Sequence, residues 1–121
     1  MNNPAYPRIV LFVAGLIGAL GVAFSAMAAH GEDPRLIGAA AAACMAQAPA
    51  LLALSLGWER IRTALPASLL IGLGCLLFAG DLWYRNSAGH GLFPMSAPTG
   101  GTMMILGWVV VAFGALFRRG A

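Results

Sequence analysis

The stretch IVLFVAGLIGALGVAFSAMAA, residues 9–29, runs for 21 residues without a charged side chain, and it decides the fold of this chain. An α-helix rises about 1.5 Å per residue and the hydrocarbon core of a bilayer is about 30 Å thick, so a helix of this length crosses it. Three similar apolar blocks follow at residues 36–56, 65–83 and 97–117. The sequence therefore predicts an all-α integral membrane bundle of four antiparallel transmembrane helices, forming one domain over residues 1–121.

The overall composition agrees with this prediction. Hydrophobic residues make up 60% of the chain and charged residues 9%, against roughly 25% charged residues in soluble domains. A soluble fold of 121 residues is too small to bury so much apolar surface. The net charge of +3 is divided among loops and forms no basic face with interleaved aromatic rings, so nucleic acid is not an expected partner.

The first apolar block has two interpretations. A short Ala-Met-Ala motif at residues 26–28 is compatible with cleavage of a signal peptide. The apolar run is nevertheless longer than the roughly 7 to 15 residues of a signal-peptide core. We therefore expect this block to be retained as a membrane span.

The distribution of arginines predicts the orientation. A chain with four spans has both termini and the second loop on one side of the membrane. That side carries five arginines, and the other side carries two. The five are Arg8, Arg60, Arg62, Arg118 and Arg119, and the two are Arg35 and Arg85. Because short arginine-rich segments stay inside, we expect both termini to face the cytoplasm. Rings near the helix ends are expected at the headgroup level, namely Tyr6, Trp58, Trp83 and Tyr84.

Helix-ending residues mark the first connection. Gly31 is suited to a left-handed position after helix 1, and Asp33 followed by Pro34 is typical of an N-cap and a first helical residue. The longest loop is expected at about residues 85–96, which are rich in Gly, Ser, Asn and Pro.

Small residues recur at spacings of three and four in every span, which favours close helix packing in lipid. The glycines we expect at helix–helix contacts are Gly18, Gly21, Gly72, Gly107 and Gly114. In helix 2 the expected contact stripe consists of Ala39, Ala43, Ala46, Ala50, Ala53 and Gly57.

Gln47 is the only amide inside a predicted span, about 16 Å along helix 2 from Leu36. One interpretation is a polar transport site beside the helix break expected at Pro49. The interpretation we favour is a structural hydrogen bond to another helix or to the carbonyl group of Met45, which Pro49 leaves without its usual partner.

Asp81 and His30 complete the candidate polar residues. A carboxylate inside a membrane span indicates function by default, but Asp81 can also pair with Arg85 one turn later. His30 is placed to interact with the C-terminal end of its own helix. Together with Glu32, Asp33 and His90, these residues lie on one predicted side, yet their spacing does not support a metal site.

The remaining motifs favour no catalysis. Cys44 and Cys75 are expected at similar depths, either packed as small apolar side chains or joined by a disulfide. Gly100 and Gly101 at a helix start form only a weak anion-binding motif. Nucleophile-elbow, zinc-protease and dinucleotide motifs are absent from the sequence. We therefore expect a protein that is not an enzyme and that needs no cofactor or metal.

Three segments, in this order along the chain, resemble a known family. They are AAHG at residues 28–31, LFAGDLWY at residues 77–84, and APTGG at residues 97–101 followed by LGW at residues 106–108. They resemble the bacterial inner-membrane family called domain of unknown function 423, which is similar to the eukaryotic transmembrane protein 256. The resemblance implies a four-helix inner-membrane protein and supplies no reaction. In this family a His often follows the Gln of helix 2, whereas Ala48 and Pro49 follow Gln47 here.

Two functions are favoured by these observations, and a third, a membrane enzyme, is the least favoured because it would need a metal or an acid–base pair, for which His30, His90 and Asp81 would have to converge. The first is a non-enzymatic accessory or structural subunit that lies in the lipid bilayer and packs against a larger membrane complex or a second copy. The alternative is a small-solute or proton-linked transporter whose path is lined by Gln47, Asp81 and His30.

Overall fold

Four α-helices make up most of the structure, a computed structural model that describes residues 3–31 and 34–117. They are α1 (Ala5–His30), α2 (Pro34–Leu56), α3 (Ala64–Ala88) and α4 (Ser96–Gly114). All four are long and apolar enough to cross a membrane. The predicted all-α bundle of four membrane-spanning helices is confirmed, and the chain is a multi-pass membrane protein.

Contacts at the helix ends show that successive helices are antiparallel. The Ser55 hydroxyl at the end of α2 donates a hydrogen bond of 2.7 Å to the carbonyl oxygen of Pro7 at the start of α1. The Thr63 hydroxyl, just before α3, donates a hydrogen bond of 2.8 Å to the carbonyl oxygen of Val110 near the end of α4. One end of the bundle therefore contains the start of α1, the turn between α2 and α3, and the end of α4.

The central pair α2 and α3 holds the bundle together. Helix α1 packs mainly on α2 and touches α3 briefly, whereas α4 packs on α3. Within the described residues, no Cα of α1 lies within 8 Å of a Cα of α4. Helices α1 and α4 therefore leave much of their surface exposed. In the most hydrophobic stretch of 18 residues of each of these helices 22% is buried, against 50% in the corresponding stretch of α3.

The core is built from small side chains and a few branched ones. Ile17 of α1, Leu51 of α2 and Ile71 of α3 are fully buried or nearly so. The expected contact stripe of α2 is wrong at Ala39, Ala46 and Ala53, which are exposed, whereas its members Ala43, Ala50 and Gly57 are half-buried. The buried face of α2 contains Ala40, Ala41, Cys44, Gln47, Ala48, Leu51 and Leu54. Small residues lie on every face of α2, so its larger side chains determine which faces enter the core.

Several helix ends differ from the sequence-based expectation. Gly31 is extended, with φ −91° and ψ 164°, rather than left-handed, because only three residues separate α1 from α2. Helix α3 extends to Ala88, so the loop is shorter than expected and Asp81 lies about two turns before the helix end. Left-handed backbone occurs instead at Gly89 and Met95, at the two ends of this loop.

Three residues with a predicted role lie outside the described residues, namely the expected N-cap Asp33 and the arginines Arg118 and Arg119. The outcome for the tryptophan expected at the headgroup level is clear. Trp58, expected at the headgroup level, is only 3% exposed and stacks at a tilt on Tyr6, with 6.5 Å between ring centroids. The turn that follows α2 folds this indole into the bundle, so it seals one end of the core rather than facing lipid.

Candidate functional site

The Asp81 carboxylate joins α3 to the loop and to the start of α4. Asp81 is completely buried. Its Oδ1 atom accepts a hydrogen bond of 2.7 Å from the backbone N–H of Leu92 and a second hydrogen bond from the hydroxyl of Ser96. Ser96 is the first residue of α4 and is also completely buried. The carboxylate therefore fixes the position at which α4 begins.

Arg85 lies next to this cluster, as expected for a residue four positions after Asp81. The two side chains form an ion pair with 3.4 Å between Arg85 Nη2 and Asp81 Oδ2, and the Arg85 side chain is 38% exposed. This distance is longer than the 2.7 Å hydrogen bond from Leu92, so the arginine is the weaker partner. The loop above the cluster places the His90 ring edge-on to Tyr84, with 5.5 Å between ring centroids.

Gln47 lies near the middle of α2 and is 8% exposed. Its Oε1 atom accepts a hydrogen bond of 2.9 Å from Trp108 Nε1 of α4. No Cα of α4 lies within 8 Å of a Cα of α2 in the described residues, so the long indole side chain spans the gap. Helix α2 continues through Pro49 without interruption.

The two cysteines are neighbours on the central helix pair. Cys44 and Cys75 are both buried and free, with 3.9 Å between their sulfur atoms. They pack as small side chains at the contact of α2 with α3.

His30 is exposed at the last position of α1 and joins neither of these clusters. The described part of the chain contains no group of three or more His, Cys, Asp or Glu residues that could hold a metal ion. Glu32 and Asp33 lie outside the described residues. The three polar residues singled out by the sequence thus occupy three separate places: Gln47 at mid-depth, Asp81 under the loop, and His30 at a helix end.

The expected packing glycines lie at or beside helix contacts. A β-carbon at Gly21 would lie 2.8 Å from the sulfur of Met45, and one at Gly107 would lie 2.5 Å from a side-chain carbon of Ile71. One at Gly114 would lie 2.6 Å from the Thr63 hydroxyl. Gly18 and Gly72 face their neighbours less tightly, since a β-carbon there would lie 3.6 Å and 3.9 Å from the nearest side chain.

The sequence pattern does not predict the roles of Ser96, Trp108 and Ser68. Ser96 closes the expected loop and Trp108 belongs only to the LGW motif, although each is the direct partner of a candidate residue. The polarity of both side chains inside an apolar chain was the available signal. Ser68 is a small residue at the packed face of α3, and its buried hydroxyl has no hydrogen-bond partner in the structure.

Comparison with known proteins identifies the family but not the activity. No solved structure matches this chain. One family model, described as a protein of unknown function (DUF423), matches residues 17–101. The match begins within α1, includes α2 and α3 together with the Asp81 cluster, and ends in the first turns of α4. Since it covers more than half of the sequence, the chain belongs to the DUF423 family.

Proposed function

We propose that this protein is a non-enzymatic subunit of a bacterial inner-membrane complex and that it packs against a protein partner through the outer face of α4. The observation that carries the proposal is a mismatch between hydropathy and exposure. In its most hydrophobic stretch of 18 residues α4 is less hydrophobic than α1, yet the same fraction of both stretches, 22%, is buried.

Lipid makes this mismatch costly. In a bilayer the most exposed helix is expected to be the most apolar, because lipid tails cannot hydrogen-bond to polar groups. Helix α1 follows this rule and α4 does not. The exposed surface of α4 includes Thr99 and Thr102 as well as large side chains such as Ile105, Val109 and Phe113, and the Thr102 hydroxyl donates a hydrogen bond of 2.8 Å to the carbonyl oxygen of Pro98 in the same helix. A protein partner covers such a mixed surface better than lipid does, since small and polar residues favour helix–helix contact.

The use of the internal polar groups supports a structural role. Gln47 bonds to Trp108 and Asp81 bonds to Ser96 and Leu92, so each holds α4 in place. A transporter that used these two residues would have to break those contacts in every cycle. The transporter alternative therefore receives less support than the subunit proposal.

A photocrosslinking experiment in native membranes tests the proposal. A photoreactive amino acid is placed at Val109 or Phe113 on α4, and at Phe12 on α1 as the matched control, all three being exposed. We expect a discrete protein adduct from the α4 positions and mainly lipid adducts from Phe12. The adduct should disappear when Ile105 on the same surface is replaced by Trp, which enlarges that face.

Two results would contradict the proposal. Lipid adducts alone at all three positions, together with a single copy in mild detergent, would mean that α4 faces lipid. An adduct that contains only a second copy of this chain would replace the accessory role with a homo-oligomer.

A further inference from the structure

A pocket of about 570 Å³ lies at the end of the bundle where α3 ends and α4 begins. Arg85 of α3 forms one side of it, and the loop from His90 to Met95 forms the rest. Each of these lining residues is exposed or half-buried. A ligand from solvent or from the membrane surface therefore reaches their side chains without passing through the packed interior.

The Arg85 guanidinium has donors that the fold does not use. Its Nη2 atom lies 3.4 Å from Oδ2 of Asp81, and among the residues that the structure describes this carboxylate is its one hydrogen-bond partner. An arginine carries five N–H donors in a planar fork. Asp81 is completely buried, whereas the Arg85 side chain is 38% exposed. Most of the fork is therefore available to an acceptor in the pocket.

Gly91 leaves this guanidinium uncovered. A β-carbon at Gly91 would lie 2.5 Å from Nη2 of Arg85 and 2.8 Å from Oδ1 of Asp81. The loop backbone thus passes directly over the ion pair. A side chain at this position would collide with the guanidinium and fill the space beside it.

His90 supplies a second polar group to the pocket. Its Nδ1 atom lies 3.0 Å from the carbonyl oxygen of Gly91, and because a carbonyl oxygen only accepts hydrogen bonds, Nδ1 carries the proton. The edge contact with Tyr84 supports the ring in this position. In the neutral ring Nε2 is then an acceptor, which suits a ligand that carries a hydroxyl group besides its anionic group.

The pocket lies at the depth of the lipid headgroups. Helix α3 has 25 residues and is about 37 Å long, which exceeds the hydrocarbon core of about 30 Å, so its end extends beyond that core. Trp83 and Tyr84, just before Arg85, are exposed, and such rings settle at the boundary between hydrocarbon and headgroups. Arg85 therefore lies where its long side chain reaches the phosphate groups of the bilayer.

The loop beside Arg85 is apolar on its exposed surface. Leu92, Phe93 and Met95 line the pocket, and their exposed fractions lie between 47% and 68%. Large apolar side chains at this depth favour contact with the upper part of the acyl chains over contact with water. A ligand that fits the whole pocket thus combines an anionic group for Arg85 with an apolar part for the loop.

We propose that this pocket binds the phosphate group of a phospholipid headgroup and that Arg85 holds two of its oxygen atoms with parallel N–H···O bonds. The planar fork of an arginine matches a phosphate in this bidentate way. Asp81, behind the guanidinium, orients the fork and offsets its charge, so binding depends on the geometry of the fork more than on net charge. Phosphatidylglycerol is the probe of this site, because its glycerol hydroxyls suit the Nε2 atom of His90.

Native mass spectrometry of the full chain in mild detergent tests the proposal. The probes are phosphatidylglycerol and a diacylglycerol with the same acyl chains, which lacks the phosphate. We expect one phosphatidylglycerol per chain to be retained about tenfold more tightly than the diacylglycerol, as one charge-assisted hydrogen bond implies. Arg85→Gln should remove this preference. Arg35→Gln, which removes an exposed arginine at the same end of the bundle but outside the pocket, should keep it.

Arg85→Lys separates the fork from the charge. A lysine keeps the positive charge but is a point charge without a planar fork. We expect Arg85→Lys to retain phosphatidylglycerol as weakly as Arg85→Gln does, within about twofold. Wild-type retention in Arg85→Lys would mean that the lipid surface attracts any cation at this position, and it would overturn the proposal.

Inorganic phosphate identifies the source of the anion. An excess of inorganic phosphate should leave the bound phosphatidylglycerol in place, because it offers nothing to the apolar loop. Displacement of the lipid by inorganic phosphate would overturn the assignment to a phospholipid and leave a site for a free oxyanion.

A measurement without lipid separates binding from folding. In delipidated detergent Arg85→Gln should melt close to the wild-type temperature, because the ion pair that it removes is long and partly exposed. Equal retention of the two lipids by the wild type, or an unchanged preference in Arg85→Gln, would refute the proposed site. These results do not depend on whether α4 binds a protein partner.

Discussion

Replacement of Asp81 by Ala should loosen the junction between α3 and α4. The buried carboxylate accepts hydrogen bonds from Leu92 and Ser96, and a hydrogen bond to a charged group contributes about 1.5–3 kcal/mol. The Leu92 residue is exposed, so its N–H can bond to water or headgroups after the change. The buried Ser96 hydroxyl cannot. We therefore expect Asp81→Ala to lower the free energy of unfolding by about 3 kcal/mol.

Two further variants separate the contributions of the Asp81 charge and of the Arg85 ion pair to this free energy of unfolding. Asp81→Asn keeps an oxygen acceptor and loses the charge, so about 1 kcal/mol of the free energy of unfolding should be lost. Arg85→Ala should cost less than about 0.5 kcal/mol, because the Arg85 side chain is 38% exposed and its ion pair is 3.4 Å long. From the most to the least stable, the expected order of the variants is Arg85→Ala, Asp81→Asn and Asp81→Ala.

Reversible unfolding in mixed micelles, with increasing SDS and near-ultraviolet circular dichroism, measures these free energies. Hydrogen exchange at the Leu92 amide provides a local measurement and should accelerate in Asp81→Ala, while amides in the middle of α2 should change little. If Asp81→Ala were no less stable than Arg85→Ala, the carboxylate would not hold the loop, and our account of the cluster would be refuted.

Three other predictions concern the interior and the topology. Gly100→Ala should destabilise the protein by about 1–3 kcal/mol in the same unfolding assay, because its β-carbon would lie 2.7 Å from backbone atoms of α3, whereas Gly15→Ala has open space and should change little. Gln47→Leu and Trp108→Phe should each cost about 1 kcal/mol, and the double variant should cost less than the sum because both changes remove the same 2.9 Å hydrogen bond; full additivity would contradict this pairing. Cysteine reporters fused at the two termini should both be protected from an impermeant thiol reagent in intact cells, and labelling of either one would contradict cytoplasmic termini.

The sequence was sufficient for the number and type of the helices. In lipid, length and apolarity determine a span almost directly, because the backbone must satisfy its own hydrogen bonds. The prediction of glycines at helix contacts rests on equally local reasoning, since only a small residue lets two backbones approach.

The faces of the helices could not be predicted as well. In α2 nearly every face is lined by alanine, so the stripe Ala39, Ala46 and Ala53 was as plausible as the buried one. The choice depends on where Leu51 and Leu54 find space between α1 and α3, which is a property of the whole bundle. Binary hydrophobic patterning carries little information when lipid replaces water as the solvent.

The Asp81 cluster shows a second limit. A pair with Arg85 follows from helical spacing alone, and the structure contains it. The stronger partners, Leu92 and Ser96, come from a loop whose path depends on left-handed backbone at Gly89 and Met95. A left-handed glycine is a common expectation, but a left-handed methionine is not, so the return of the chain to Asp81 could not be derived from local sequence.

The glycines of α4 also determine its register on α3. Gly100, Gly107 and Gly114 are seven residues apart, and each lies where a β-carbon would collide with α3 or with the residue before it. A slide of one helical turn, about 5.4 Å, would bring larger side chains to these positions. A slide of α4 in one direction brings Met103 and Val110 to these positions, and a slide in the other direction brings Met104 and Val111. The same slide would break the hydrogen bonds of Ser96 with Asp81 and of Thr63 with Val110, at the two ends of the pair. Because apolar surface gives helices no reason to associate in lipid, close contacts in the middle and hydrogen bonds at the ends must select the register, and here both select the same one.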